Sequence, residues 1–456
     1  MQSMETLATL AGMLEGELKG ITPGADLFQN WRRIETDTRR LAEGDVFAAI
    51  RGERFDGHDF AGEAERRGAA ALIVDHPVAS ALAQFVVRDV REAYGLAAKR
   101  WRSRFAVDLT AVVGSNGKTT TTQMLAAILR ERWGEDRMLA TEGNFNNEIG
   151  VPHMLFKLRF EHRAAVIEAG MNHPGEMARL ADWIRPTTVL MTNAQREHQE
   201  FLRSVEAAAH ENGLMFAALP ETGRAVFPSD DPSASIWASL ARARGVSAVT
   251  FALGREADVW GELLRDGTLR IHAGEGRVFD VRLAISGVHN ARNAVGAAAA
   301  ALVQGVDVDS IRRGLEGFRA LPGRGARSVV AHGRLTLIDD SYNANPDSLA
   351  ASLKMLAEEP GPRMLVMGDM GEIGEAAAAR HREAGLLARD LGIERLWATG
   401  ELSREAAAAF GEGGRWFPTR DELAAALLES PLEGTMVVKA SHSMGFSKIV
   451  EALKKI

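Results

Sequence analysis

The run Gly114-Ser115-Asn116-Gly117-Lys118-Thr119-Thr120 follows a β-rich segment at 109–113 and precedes a helical pattern over 124–129. Strand, glycine loop and helix in that order form the setting that phosphate binding requires. Glycines let backbone N–H groups close around phosphate oxygens, and the helix N-terminus adds unpaired donors and partial positive charge. Lys118 is expected to reach the β and γ oxygens and the Thr119 hydroxyl to ligate Mg²⁺. The longer Gly-x-x-x-x-Gly-Lys-Ser/Thr pattern needs glycine at 112, where this chain has Val112, so the match is to a shorter form. The loop predicts ATP or GTP binding. It leaves the use of the nucleotide open, because transferases, ligases and hydrolases share it.

Two further groups fall where such a site needs them. Glu168 ends a run read as a buried strand, and in an open α/β sheet the carboxyl edge is where ligands sit. Its carboxylate is placed to hold a second cation or the water shell of the first. His198 follows the next strand by six residues, counting from Thr192. Alone it reads as a surface group; beside a phosphate loop and Glu168 it reads as part of the site. The stretch 141–152 is dense in Asn and Gly, with Asn144, Asn146 and Asn147 as three amides in four positions. They fit a turn-rich connection, since Asn and Gly tolerate left-handed backbone, and equally a set of neutral donors and acceptors for a polar substrate. Composition does not choose between the two.

The elements that position these groups follow from the pattern of the chain. Strand-like runs at 109–113, 164–167 and 189–192 each precede a polar or glycine-containing segment and a longer periodic stretch, which predicts a mostly parallel sheet covered by helices. Short alternating runs at 246–286 read as an inserted β-meander before an Ala-rich helix near 291–303. Runs at 44–52 and 69–74 predict a small α/β unit over 1–105. Strands at 335–338, 364–366, 395–398 and 436–438 predict a doubly wound, Rossmann-like unit over 318–456. The fold class is thus α/β in three domains, with a central parallel-sheet phosphate-loop ATPase domain over 106–317. The length of 456 residues agrees, at about 150 per domain.

Composition narrows the function classes. The chain has no cysteine, which excludes disulfide scaffolds, thiolate metal sites and cysteine nucleophiles. A net charge of −7 without a long basic block disfavours nonspecific nucleic-acid binding. No apolar run reaches the length of a membrane span, and the N-terminus lacks the basic start of a secretory signal. A cytoplasmic address is expected.

Taken together these stretches resemble the Mur ligases of peptidoglycan synthesis over nearly the whole chain. The resemblance rests on Thr36-Asp37-Thr38-Arg39, Gly44-Asp45-Val46-Phe47 and Asp56-Gly57-His58 in the first domain. It continues with the phosphate loop, the Asn-rich stretch, Glu168, Asn172-His173-Pro174-Gly175-Glu176, His198 and His289-Asn290 in the second. Gly323-Arg324, Asp339-Asp340-Ser341-Tyr342-Asn343-Ala344-Asn345-Pro346 and Gly368-Asp369-Met370 carry it in the third. The Asp-Ser-Tyr-Asn-Ala-Asn-Pro stretch is similar to the branch that adds D-alanyl-D-alanine to UDP-N-acetylmuramoyl-tripeptide. Relatives that add a diamino acid carry Asp-Asn-Pro-Arg, which is not found here.

The resemblance implies an ATP-dependent amide-forming ligase that works through an acyl phosphate with ATP and Mg²⁺, and a monomer. It implies that Gly114, Ser115, Asn116, Gly117, Lys118, Thr119, Thr120, Asn290, Arg324 and Asp340 serve the nucleotide. Thr119, Glu168 and His198 are the implied metal ligands, and Lys118, Glu168, His198 and Arg324 the catalytic groups. Thr38 and Arg39 fall to the UDP part, and Asn144, Asn146, Asn147, Tyr342, Asn343 and Asn345 to substrate.

Three departures accompany it. The helix over 205–219 has Asn212 where relatives carry a carbamylated lysine that supports the second magnesium. The loop at 193–200 reads Asn-Ala-Gln-Arg-Glu-His-Gln-Glu in place of Asn-Ile-Gly-x-Ala-His-Leu-Glu. Near the end, Lys439-Ala440-Ser441-His442 replaces Lys-Gly-Ser-Arg. Two alternatives share the loop. A folylpolyglutamate-type ligase is opposed by the UDP-type first domain, and a nucleotide switch of the GTPase kind by the lack of an Asn-Lys-x-Asp element.

Overall fold

The computed structural model describes residues 5–52, 55–197, 199–274 and 276–456, except the side chain of Gln199. The strand Asp108–Val113 lies third from one edge of a nine-stranded sheet, between Thr188–Met191 and Ala164–Glu168, and parallel to both. Residues 109–113 are all buried, as a central parallel strand covered on both faces requires. The helices Lys118–Trp133 and Val288–Val303 cover one face. The alanines of the second are fully buried, so small side chains permit close approach.

The region 246–286 departs from an inserted meander. The strand Ser247–Leu253 pairs parallel with Arg224–Pro228 and with Val259–Leu263; antiparallel pairing begins only with Leu269–His272 and Val278–Val281. These strands extend the main sheet because their inward residues Val259, Leu269, Ile271, Phe279 and Val281 join the same core as the Ala-rich helix. The strands Met138–Ala140, Arg224–Pro228 and Gly414–Phe417 have no counterpart among the runs read from the sequence.

The N-terminal stretch builds a five-stranded sheet in the order Leu18–Ile21, Ala83–Val87, Ala71–Val74, Val46–Ala48, Ile34–Glu35. The C-terminal stretch builds six strands in the order Ala326–Val330, Leu335–Asp339, Gly434–Lys439, Arg363–Met367, Arg395–Thr399, Gly414–Phe417. Only its first pair is antiparallel.

The cores show how the three units are joined. One cluster runs from Leu7, Trp31 and Tyr94 through Val107 and Leu109 to Trp183 and Trp237, so the first unit and one face of the central sheet share a single interior. Gly95, inside the helix Val90–Arg102, marks the seam: a Cβ there would lie 2.2 Å from the Trp183 indole. The third unit has its own two cores, drawn only from residues after 329. Apolar burial therefore fuses the first two units and leaves the third to dock by other contacts. Among the described residues no helix is long and apolar enough to cross a membrane.

Candidate functional site

The phosphate loop leaves the strand Asp108–Val113 at Gly114 and enters the helix Lys118–Trp133 from Gly117. Both glycines are required by geometry. Gly114 has φ +126° and a Cβ there would lie 2.3 Å from Thr192 Oγ1. Gly117 has φ +79° and its Cβ would lie 2.7 Å from Asn293 Oδ1.

The loop is held from behind. Gly114 N–H donates to Asn212 Oδ1 at 3.1 Å, Ser115 N–H to the Asn193 carbonyl at 3.0 Å, and Asn116 N–H to Asn193 Oδ1 at 2.9 Å. Asn212 is buried, and its amide also donates to the Ala208 carbonyl at 3.0 Å. The departure at 212 thus places a neutral loop support in the helix Val205–Gly213.

Lys118 Nζ lies 2.5 Å from the Gly114 carbonyl, 2.9 Å from that of Ser115, and 3.4 Å from Glu197 Oε2. Glu168, the last residue of its strand, is buried. Its Oε1 accepts from Asn146 Nδ2 at 2.7 Å, and its Oε2 is buried with no partner among the described residues. A buried orphan carboxylate oxygen costs stability unless something occupies its direction. Thr119, the second residue of the helix Lys118–Trp133, offers a hydroxyl, and carboxylate and hydroxyl oxygens are the hard donors that Mg²⁺ takes. His198 lies outside the described residues.

The three asparagines separate. Asn146 faces Glu168, and Gly170, whose Cβ would lie 3.5 Å from both Asn146 Nδ2 and Lys118 Cε, sits among them. Asn147 Oδ1 accepts from the N–H groups of Ile149 and Gly150 at 3.1 and 2.9 Å, the use expected of a turn residue at a helix start. Asn144 is exposed. Thr38 is buried and Arg39 is exposed and paired to Asp37 at 2.7 Å, both in the turn Thr38–Arg40. That turn reaches the Asn-rich loop through Arg40, which lies 5.5 Å from the Phe145 ring centroid.

The third unit brings its motif residues to the same place. Arg324 stacks on Tyr342 with its guanidinium 4.0 Å from the ring centroid. Burial pushes the Tyr342 phenol up; Arg324 opposes this, and the Glu168 carboxylate adds to it. Asp340 Oδ2 is 2.6 Å from Lys439 Nζ, which also donates to the Asn343 carbonyl at 3.1 Å. Asn345 caps the helix Pro346–Ala357 and exchanges amide bonds with Asn116, 2.8 and 3.3 Å. Asn290 is buried and donates to the Ser286 carbonyl at 2.7 Å. Thr120 is buried in the helix behind the loop.

Sequence reasoning missed Asn193, Asn293, Gln195, Glu197 and the pair Arg196–Asp347. The unusual Gln-Arg-Glu in the loop at 193–200 was the available signal for three of them. Elsewhere, His58, Asp75 and His76 bring possible ligand atoms within 4.8 Å of one another. Yet His58 Nδ1 is 2.6 Å from Asp56 Oδ1 and its Nε2 accepts the Asp75 N–H at 3.1 Å, so both nitrogens are engaged.

A glycine loop, an orphaned carboxylate and a third α/β unit over both define a phosphate-loop nucleotide-binding protein with a composite site. Residues 112–301 match the Mur ligase middle domain, 323–442 the Mur ligase glutamate ligase domain, and 31–102 the Mur ligase family catalytic domain. The chain is 37% identical to the UDP-N-acetylmuramoyl-tripeptide–D-alanyl-D-alanine ligase of Escherichia coli K12, over 99% of this chain and 98% of that one. It is similar to a crystal structure of MurF from Acinetobacter baumannii, with TM-score 0.90, 30% identity and 99% of each chain covered. A MurF ligase from Thermotoga maritima in complex with ADP gives TM-score 0.79 at 25% identity, over 93% of this chain and 97% of that one. The chain belongs to the Mur ligase family.

Proposed function

We propose that this chain is an ATP-dependent ligase that joins D-alanyl-D-alanine to UDP-N-acetylmuramoyl-tripeptide in peptidoglycan synthesis. The observation that carries the reading is the meeting of the third unit with the phosphate loop, where Asn345 and Asn116 exchange amide bonds in the loop that ends at Lys118. The full-length likeness to ligases of that name supports the substrate pair.

A carboxylate is a poor electrophile, so joining it to an amine needs prior activation. A carboxylate oxygen of the tripeptide attacks the γ-phosphorus of ATP and ADP leaves, giving an acyl phosphate. The dipeptide amine then attacks the acyl carbon, loses a proton, and phosphate departs with the oxygen it received. Lys118 and Arg324 supply positive charge to the transferring phosphoryl group. The backbone N–H groups of residues 117–120 hold the phosphates, and Gly114, Ser115 and Asn116, whose N–H groups are bonded to Asn212 and Asn193, shape the loop. Asn290 and Asp340 serve the nucleoside. Bound Mg²⁺ would supply charge neutralisation on the phosphate oxygens, with Thr119, Glu168 and His198 as its protein ligands. Asn146 orients Glu168 through its 2.7 Å bond. Thr38 and Arg39 serve the UDP part. Asn144, Asn147, Tyr342, Asn343 and Asn345 line the path of the peptide and dipeptide.

The division of labour follows the three stretches: 1–105 for the UDP-sugar peptide, 106–317 for ATP, 318–456 for the dipeptide. Docking of the third stretch excludes water that would hydrolyse the acyl phosphate. Phosphate release from ATP tests the reading. It should require both UDP-tripeptide and D-alanyl-D-alanine; release with neither present would fit a nucleotide switch and overturn it.

A further inference from the structure

Residues 195–197 touch two units at once. The Gln195 N–H donates to Ser115 Oγ at 2.9 Å, and Gln195 Oε1 accepts from Asn116 Nδ2 at 2.7 Å. Glu197 Oε2 lies 3.4 Å from Lys118 Nζ. Between them Arg196 points the other way, into the third unit. Its Nη2 and Nε are 2.6 and 3.1 Å from Asp347 Oδ1, and its backbone N–H donates to Asp347 Oδ2 at 2.8 Å. Asp347 is the second residue of the helix Pro346–Ala357, whose cap Asn345 bonds Asn116. Glu383 Oε2, 3.9 Å from Arg196 Nη1, adds a second acid from the same unit.

This contact has the character the docked third unit needs. Among the described residues the two apolar clusters of that unit take no member from the other units, and a polar interface leaves relative motion as the default. A forked guanidinium–carboxylate pair fixes orientation as well as distance. The side chains of Arg196 and Asp347 are only 30% and 23% exposed, so the pair is screened less than one in open water. Burial alone would raise the Asp347 carboxyl, but the Arg196 bonds outweigh it and hold it below the ordinary carboxylate range.

We propose that Arg196 is a positioning residue, a latch whose fork on Asp347 holds the third unit docked and, through its neighbours Gln195 and Glu197, sets the phosphate loop as docking occurs. The latch deepens the ligase reading and rests on it for its kinetic consequence. The fork is carried on one side by a segment bonded to the phosphate loop through Gln195 and on the other by the unit that carries Arg324 and Tyr342. Breaking the fork misplaces one relative to the other while leaving each intact.

The absence of cysteine makes the test direct. Ser235→Cys on the central unit and Glu412→Cys on the third, both at exposed positions, take a pair of spin labels in the full chain. Inter-label distances are measured with and without ATP and Mg²⁺. The parent should give one dominant distance with nucleotide. Arg196→Gln and Asp347→Asn should each shift population to other distances, the double variant no further than either, and Arg196→Lys should recover part of the parent population.

In the ligase assay kcat should fall roughly 10–100-fold, as for a misplacement of about an ångström, with ATP affinity little changed. Unchanged distances in both single variants overturn the latch, and a loss of kcat at unchanged distance assigns Arg196 to the chemistry instead. If one variant fails to fold, the other decides. If the parent proves not to need D-alanyl-D-alanine, the ligase reading fails while the distances still judge the latch.

Discussion

Asn146 Nδ2 lies 2.7 Å from Glu168 Oε1, and the opposite oxygen of that carboxylate is buried with no partner among the described residues. One side chain therefore orients the acid and leaves its other oxygen for a ligand. Glu168→Gln should lower turnover by about 10²–10³, the loss that follows removal of one electrostatic group at a phosphoryl-transfer site. It should also abolish the extra thermal stabilisation that Mg²⁺ gives to the ATP-bound protein. A Mg²⁺-dependent melting shift equal to the parent's would remove Glu168 from the metal site.

Lys118 has the carbonyls of its own loop and Glu197 around its ammonium. Lys118→Ala should cost about 10²–10³ in kcat, since it removes the charge that meets the β and γ oxygens. Steady-state phosphate release measures this directly; near-parental kcat would exclude Lys118 from the transfer step.

Gly95 sits in a helix interior, where glycine is ordinarily unfavourable, because the Trp183 ring occupies the space of a Cβ. Gly95→Ala should destabilise the fused first and central units by about 1–3 kcal/mol through overpacking. Denaturant unfolding followed by tryptophan fluorescence reads it. A midpoint equal to the parent's would contradict the shared core.

Burial lowers the His153 imidazole from the ordinary 6.5 to about 4, with Lys157, Arg40 and Arg33 acting in the same direction. The folded protein therefore binds fewer protons at this site than the unfolded chain between those two values. Stability from this group is complete above pH 6.5 and is lost as pH falls toward about 4, with no further change below. His153→Gln should flatten the fall of melting temperature with acidification over that window. An identical slope in the variant would remove His153 as a contributor.

The parts of the site that sequence made legible are local ones. The phosphate loop, Lys118 and Glu168 follow from strand, loop and helix in consecutive order, and the three α/β units from runs separated by helices. The Asn-rich stretch could not be divided, because which amide faces Glu168 and which caps a helix depends on backbone direction. Arg196 and Asp347 stand 151 residues apart, and nothing in either segment alone points to the other. The strands over 247–281 read as an insertion because their alternation is local, while the parallel pairing that joins them to Arg224–Pro228 lies between separate segments of the chain.

Isotope transfer tests the central claim most directly. UDP-tripeptide labelled with ¹⁸O in its terminal carboxylate is incubated with ATP, Mg²⁺ and D-alanyl-D-alanine, and the released phosphate is analysed by mass. An acyl-phosphate ligase predicts one labelled oxygen per phosphate formed, together with an amide product that keeps the other. Phosphate free of label would contradict the account.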